Sequence, residues 1–161
     1  METTNDKLID ILNDLIRINN DRIEGYERAA NEIRDLQQAE IKSLFFKLSE
    51  DSRSYKNDLS EATIRLGGAP AQDTTASGKL YRVWMDVKAA FSKDDLKAAL
   101  ESCEYGEDVA LKAYQEALQA EVNWPSDISA LISAQRQELR ASHDKVKRYR
   151  DEYKVVNNLK S

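Results

Sequence analysis

Cysteine is nearly absent. Cys103 is the single one, so no disulfide can form within the chain. A lone thiol fits a reducing compartment, and a cytoplasmic protein is expected. Histidine is as scarce, with His143 alone. Two prolines and five glycines leave few places where a helix must stop. No apolar run approaches the ~18–20 residues of a membrane span, so no membrane is expected as a partner. The start, METTNDKLID, has no basic region followed by an apolar run, so no signal peptide is read there. Basic charge is not in excess either: 24 Lys and Arg are interleaved with 29 Asp and Glu, for a net charge of −5. A nucleic-acid surface needs a basic patch, so nucleic acid is not expected as a partner.

What is present is helix-forming. The chain has 161 residues, 41% hydrophobic and 33% charged, enough for one domain over 1–161 with a real core. The apolar residues recur at intervals of three and four, the spacing of helices with one buried face. A first long helix, about 5–35 with Thr3, Thr4 and Asn5 as N-cap candidates, carries the stripe Leu8, Leu12, Leu15, Asn19, Arg22, Tyr26, Ala29/Ala30 and Ile33. A second, about 39–66, carries Ile41, Phe45, Leu48, Ser52, Tyr55, Leu59, Ala62 and Leu66. Their separation near Asp35 to Gln38 is inferred from the stripes alone, since no Gly or Pro marks it.

Gly67, Gly68 and Pro70 then end the second helix and open the one long connection, GGAPAQDTTASGK over 67–79. A short amphipathic helix follows at about 80–91, with Leu80, Val83, Trp84, Val87 and Phe91 on one face. Ser92 to Asp95 reads as a cap that restarts the chain into a third long helix, about 93–120. Its stripe is Leu96, Leu100, Cys103, Glu107, Ala110, Tyr114 and Ala117/Leu118. After the turn at Asn123-Trp124-Pro125, Ser126 is expected to cap a fourth long helix, about 127–155, before a frayed tail. One long crossover among short links makes the second and third long helices run in the same direction. A faint internal repeat relates Leu15, Asn19, Tyr26 and Ala30 to Cys103, Glu107, Tyr114 and Leu118.

The phrases NNDRIEGYERAA, LGGAP, LYRVWMDVKAA, ESCEYGEDVALKAYQEAL and RASHDKV resemble the ferritin–rubrerythrin superfamily. The chain is most similar to a bacterial family of ferritin-like four-helix-bundle proteins with no assigned activity. The resemblance implies an all-α, ferritin-like four-helix bundle with a long crossover and a short extra helix inside it. It also implies a position for a di-iron site, built from a Glu on each of two helices and Glu-x-x-His on the other two. Matched residue by residue, this chain has Asn19 for the first Glu, and Ser52 and Tyr55 for Glu and His. It keeps Glu107, and it has Arg140 three residues before His143. A single His makes two Glu-x-x-His motifs impossible.

Glu107, in the middle of a buried stripe, needs a partner, because burying a lone carboxylate is costly. Arg22 is at a matching height, and the expected arrangement is a polar layer of Asn19, Arg22, Ser52, Tyr55 and Glu107 in place of metal. No catalytic residue and no cofactor are expected, and the favoured role is a non-enzymatic structural or interaction protein. A rival reading is a metal-binding or oxidoreductase relative holding iron or manganese at a non-standard site of Glu107, Glu104, Glu27 and His143. A third is a carrier of a small apolar ligand, which a cavity lined by Tyr26, Tyr55 and Tyr114 would favour. Cys103 reads as a buried structural thiol and His143 as a boundary residue. Trp84 is either a lid on the bundle or an oligomer contact. A homo-oligomer that covers the face around Trp84 is expected, because a lone bundle leaves that face uncovered.

Overall fold

A computed structural model describes residues 4–34, 38–75, 79–92 and 96–160. They form five helices, with no strand among the described residues: α1 (Thr4–Glu32), α2 (Ala39–Arg65), α3 (Lys79–Ser92), α4 (Leu96–Gln119) and α5 (Ser126–Lys160). Thr3, most of the expected break at 35–38, and residues 93–95 of the expected cap after Ser92 lie outside the described residues.

Two hydrophobic clusters fill the interior. One gathers Tyr26 and Ile33 of α1, Phe45 of α2, Trp84 of α3, Leu100 of α4 and Val146 of α5. The other gathers Leu12 and Leu15 of α1, Leu59 of α2, Tyr114 of α4, and Ile128 and Leu139 of α5. Helices α1 and α5 therefore run from the second cluster toward the first, and α2 and α4 run the opposite way. The α1–α2 and α4–α5 pairs pack along their lengths, while α2–α5 and α1–α4 touch sparsely.

α2 ends in a Schellman motif. Gly67, at φ 92°, donates its N–H to Ile64 O (2.9 Å), and the Gly68 N–H reaches Thr63 O (3.0 Å). Only a residue without Cβ takes that φ at low cost. The chain then climbs α1 as a strap, in the direction of α1. Asn13 Nδ2 donates to Ala69 O (3.1 Å) and Asn13 Oδ1 accepts from the Ala71 N–H (2.8 Å). Higher up, Arg17 Nε pairs with Asp73 (2.8 Å) and Asn20 Nδ2 donates to Asp73 O (2.8 Å). Asp21 finally accepts from both the N–H and the hydroxyl of Thr75. Burial of Asn20 and Asp21, which no apolar spacing announces, comes from this strap.

The strap makes Asp21 pH-sensitive. Burial raises its pKa above the ordinary carboxylate value, and the Thr75 hydrogen bonds only partly oppose that. A folded pKa above the unfolded one means that the stabilising contribution is complete below the unfolded value, about 3.9, and is lost as pH rises through the folded value. Asn at position 21 keeps an oxygen for Thr75 and carries no charge. Asp21→Asn is therefore expected to gain stability relative to the wild type as pH rises from about 3 to 7. Urea melts across that range check it; a gap that stays constant or narrows would contradict the assignment.

Two helix ends differ from expectation. α5 starts on Ser126 itself, and Pro125 takes the N-cap place, its carbonyl accepting from the Ile128 and Ser129 N–H groups (3.1 and 3.0 Å). At the other end α5 continues to Lys160 instead of fraying near 155, with no Gly or Pro in its last turns to stop it.

Of the face on α3, Val83, Trp84 and Val87 are buried by the chain's own helices and need no second copy to cover them, while the side chains of Leu80 and Phe91 lie outside those described. Trp84 meets Tyr26 edge-on, with ring centroids 4.7 Å apart, and lies against Gly25, where an added Cβ would fall 2.3 Å from the indole ring. Gly25 is the space that seats Trp84.

Candidate functional site

The interior between the two clusters is polar. Glu107 of α4 is fully buried and Arg22 of α1 nearly so, and Arg22 Nη2 lies 2.7 Å from Glu107 Oε1. The helical spacing that buries Leu15 and Tyr26 turns the intervening Arg22 inward as well. Arg22 Nη1 donates to Ser52 Oγ of α2 (2.8 Å), and the Tyr26 hydroxyl donates to Glu107 Oε1. The guanidinium carbon also stands 5.6 Å from the centre of the Tyr26 ring. Burial works against the Arg22 charge, but the Glu107 carboxylate outweighs it, and the pKa of Arg22 is raised. Burial, then the Glu107 charge, pushes the Tyr26 hydroxyl well above its usual range. The same two causes raise the buried thiol of Cys103, so it stays protonated and unreactive at neutral pH.

A second set lies one level away. Asn19 Nδ2 donates to Leu15 O and to the Tyr114 hydroxyl, both at 2.9 Å. The Tyr114 hydroxyl donates in turn to Gln135 Oε1 (2.6 Å), and Gln135 Nε2 donates to Tyr55 O (3.2 Å). The two sets mirror one another: Glu107 of α4 holds Tyr26 of α1, and Asn19 of α1 holds Tyr114 of α4. Each is a residue paired with the tyrosine seven positions on in the opposite helix. Antiparallel α1 and α4 place 19 opposite 114 and 26 opposite 107, so the faint sequence repeat becomes a reciprocal pairing.

Of the five residues expected in one layer, Arg22, Ser52 and Glu107 meet directly. Asn19 belongs to the Tyr114 set instead. Tyr55 offers that set only its carbonyl; burial, then the neighbouring Glu138 carboxylate, raises the pKa of its hydroxyl. Tyr26 and Gln135 complete the two sets, and neither was singled out for this role by the spacing of the stripes. Gln135 is spaced three and four residues from the buried Ile132 and Leu139 of α5, and that spacing is the signal the sequence carries for it.

The non-standard set does not converge. Glu107 is held by Arg22 and Tyr26, and Glu27 by Arg53 on α2. Glu104 is held by Arg150, with His143 Nε2 4.0 Å away and nearer to Asp108 (2.8 Å). No group of three or more His, Cys, Asp or Glu suited to a metal ion occurs among the described residues. The donor chemistry of the interior also fits a di-iron centre poorly. One carboxylate is present where about four are needed, and a guanidinium already neutralises it. The three tyrosines are engaged rather than grouped around a cavity: Tyr26 on Glu107, Tyr114 between Asn19 and Gln135, and Tyr55 packed in the second cluster. No helix among the described residues is long and apolar enough to cross a membrane.

Residues 7–120, from α1 through α4, match the model of a family described as a domain of unknown function, DUF2383. No curated protein matches the chain.

Proposed function

The chain belongs to the DUF2383 family, and we propose that it is a non-enzymatic, ferritin-like four-helix bundle, with α3 and the strap forming its crossover. In this reading it is a cytoplasmic, self-associating structural or interaction protein. The opposed directions of α1/α5 and α2/α4, with the strap laid along α1, support the bundle. The observation that carries the functional reading is the ion pair of Arg22 and Glu107, buried at the position the superfamily gives to metal. Arg22 and Tyr26 both meet Oε1, and Oε2 is left buried without a hydrogen-bond partner, so the guanidinium supplies the counter-charge that an ion would otherwise bring. With its charge met inside the chain, the layer needs no cofactor to be neutral, and it serves packing rather than chemistry.

Thermal stability tests this. A ligand that binds the folded state at 100 times its Kd adds about 2.7 kcal/mol. The melting temperature is expected to be the same in chelator as in excess Fe(II) or Mn(II) without oxygen. A rise that grows with ion concentration and vanishes in Glu107→Leu would favour the metal-binding reading instead.

A further inference from the structure

The sparse contact between α2 and α5 leaves two open grooves, one at each end of the same face. The groove of about 500 Å³ where α2 begins has Leu44 and Tyr149 beneath rims of Lys47, Lys145 and Arg148, with Glu40 as its one acid. The groove of about 530 Å³ where α2 ends has Ile64 and Leu131 beneath Asp58, Glu61 and Asp127, with Arg65 as its one base. Among the described residues Lys145, Arg148, Asp58 and Glu61 have no ion-pair partner, while Lys47 pairs with Asp51 and Asp127 with Arg65, both surface pairs that a second copy can compete for. Ile64 is 61% exposed, a large apolar side chain with nothing over it.

The spacing of these groups is self-complementary. On α2, Leu44 and Ile64 are each ten residues from Ser54, and Lys47 and Glu61 are each seven from it. On α5, Tyr149 and Asp127 are each eleven residues from Glu138, and Lys145 and Leu131 are each seven from it. Ser54 and Glu138 are level, because Gln135 donates to the Tyr55 carbonyl and Arg65 pairs with Asp127, eleven residues away on each helix. A two-fold axis across the helices at that height turns the basic groove of one copy onto the acidic groove of another, at both ends at once.

We propose that the α2/α5 face is the self-association surface, and that its occupant is a second copy packed antiparallel. Rotation about that axis sets α2 against α2 and α5 against α5. Lys47 then faces the second copy's Asp58 and Glu61, Arg148 faces the second copy's Asp127, and Leu44 covers the second copy's Ile64. Such a contact is isologous and closes as a dimer. At about 1.5 Å rise per residue and about 10 Å per helix, the face measures roughly 800 Å², the size each partner contributes to a standard interface. This rests on the reading of the chain as self-associating and specifies the face, which is not the one around Trp84.

Charge swapping tests it. The wild type is expected at twice the mass of one chain in light scattering at tens of micromolar and low salt, shifting toward monomer as salt screens the rims. Lys47→Glu with Lys145→Glu makes both ends of the face acidic; Asp58→Lys with Glu61→Lys makes both ends basic. Each double variant alone is expected to be monomeric, since like charges then meet. Mixed one to one, the two are expected to form heterodimers. Circular dichroism and melting of each variant establish that it is folded. A monomeric wild type would overturn both the face and the self-association reading. A dimeric wild type whose two variants also dimerise alone, or fail to pair when mixed, would overturn the face while leaving self-association standing.

Discussion

Arg22→Met and Glu107→Leu are each expected to cost about 3–5 kcal/mol, and the double variant is expected to recover much of that loss. Either single change leaves an uncompensated charge in the interior, where both side chains are essentially inaccessible to water. Removing both takes away the charges and the cost of dehydrating them together. Leucine and methionine are close enough in volume to fill much of the space left. A loss of this size is a large share of the ~5–15 kcal/mol that holds a domain folded, so denaturant midpoints will resolve it. Tyr26 and Ser52 lose a partner in the double variant, which is why recovery is expected to be incomplete. Additive losses would mean that the two residues act independently, contrary to their 2.7 Å contact.

Gly25→Ala is expected to destabilise by about 1–3 kcal/mol, the usual cost of overpacking. The sign is the informative part. Ala is favoured over Gly in a helix interior by about 1 kcal/mol, so helix propensity alone predicts stabilisation. Contact with Trp84 decides against propensity. The new methyl would sit 2.3 Å from two ring carbons and 2.8 Å from a third, and a rigid indole cannot bend away. α3 must shift instead, loosening Trp84 from Tyr26. Trp84→Ala alone is expected to cost about 3–5 kcal/mol by truncating a large buried ring. In that background Gly25→Ala should become neutral or stabilising, because nothing opposes the methyl. A second loss on top of Trp84→Ala would show that Gly25 answers to something else.

The sequence made the helices legible because their signal is local. Apolar spacing marks the buried faces of α1, α2 and α4, and Gly67 with Gly68 marks the end of α2. Glu107 stood out because a carboxylate in an apolar stripe demands a partner, and Arg22 was the cation at its height. What it faces beyond that was less legible. Asn19 bonds Tyr114 rather than Glu107 because antiparallel α1 and α4 set 19 opposite 114, a register that no single stripe contains. Tyr55 enters through its backbone carbonyl, which Gln135 of α5 reaches, and a stripe of side chains carries no signal for that. For Trp84 the spacing leaves two alternatives, a lid on the bundle or an oligomer contact, and its burial against Tyr26 fits the lid. The space that seats it is at Gly25, whose contribution is an absent side chain and so leaves no mark in a hydrophobic pattern. Asn20 and Asp21 look like solvent-facing helix residues until the strap lies over them.

Elemental analysis of the wild-type protein, produced with iron and manganese in the medium and purified without chelator, tests most directly whether an ion pair has replaced the metal. Well under one metal ion per chain, with the same content in Glu107→Leu, is the predicted result. Iron or manganese near one or two per chain in the wild type, lost in Glu107→Leu, would contradict it.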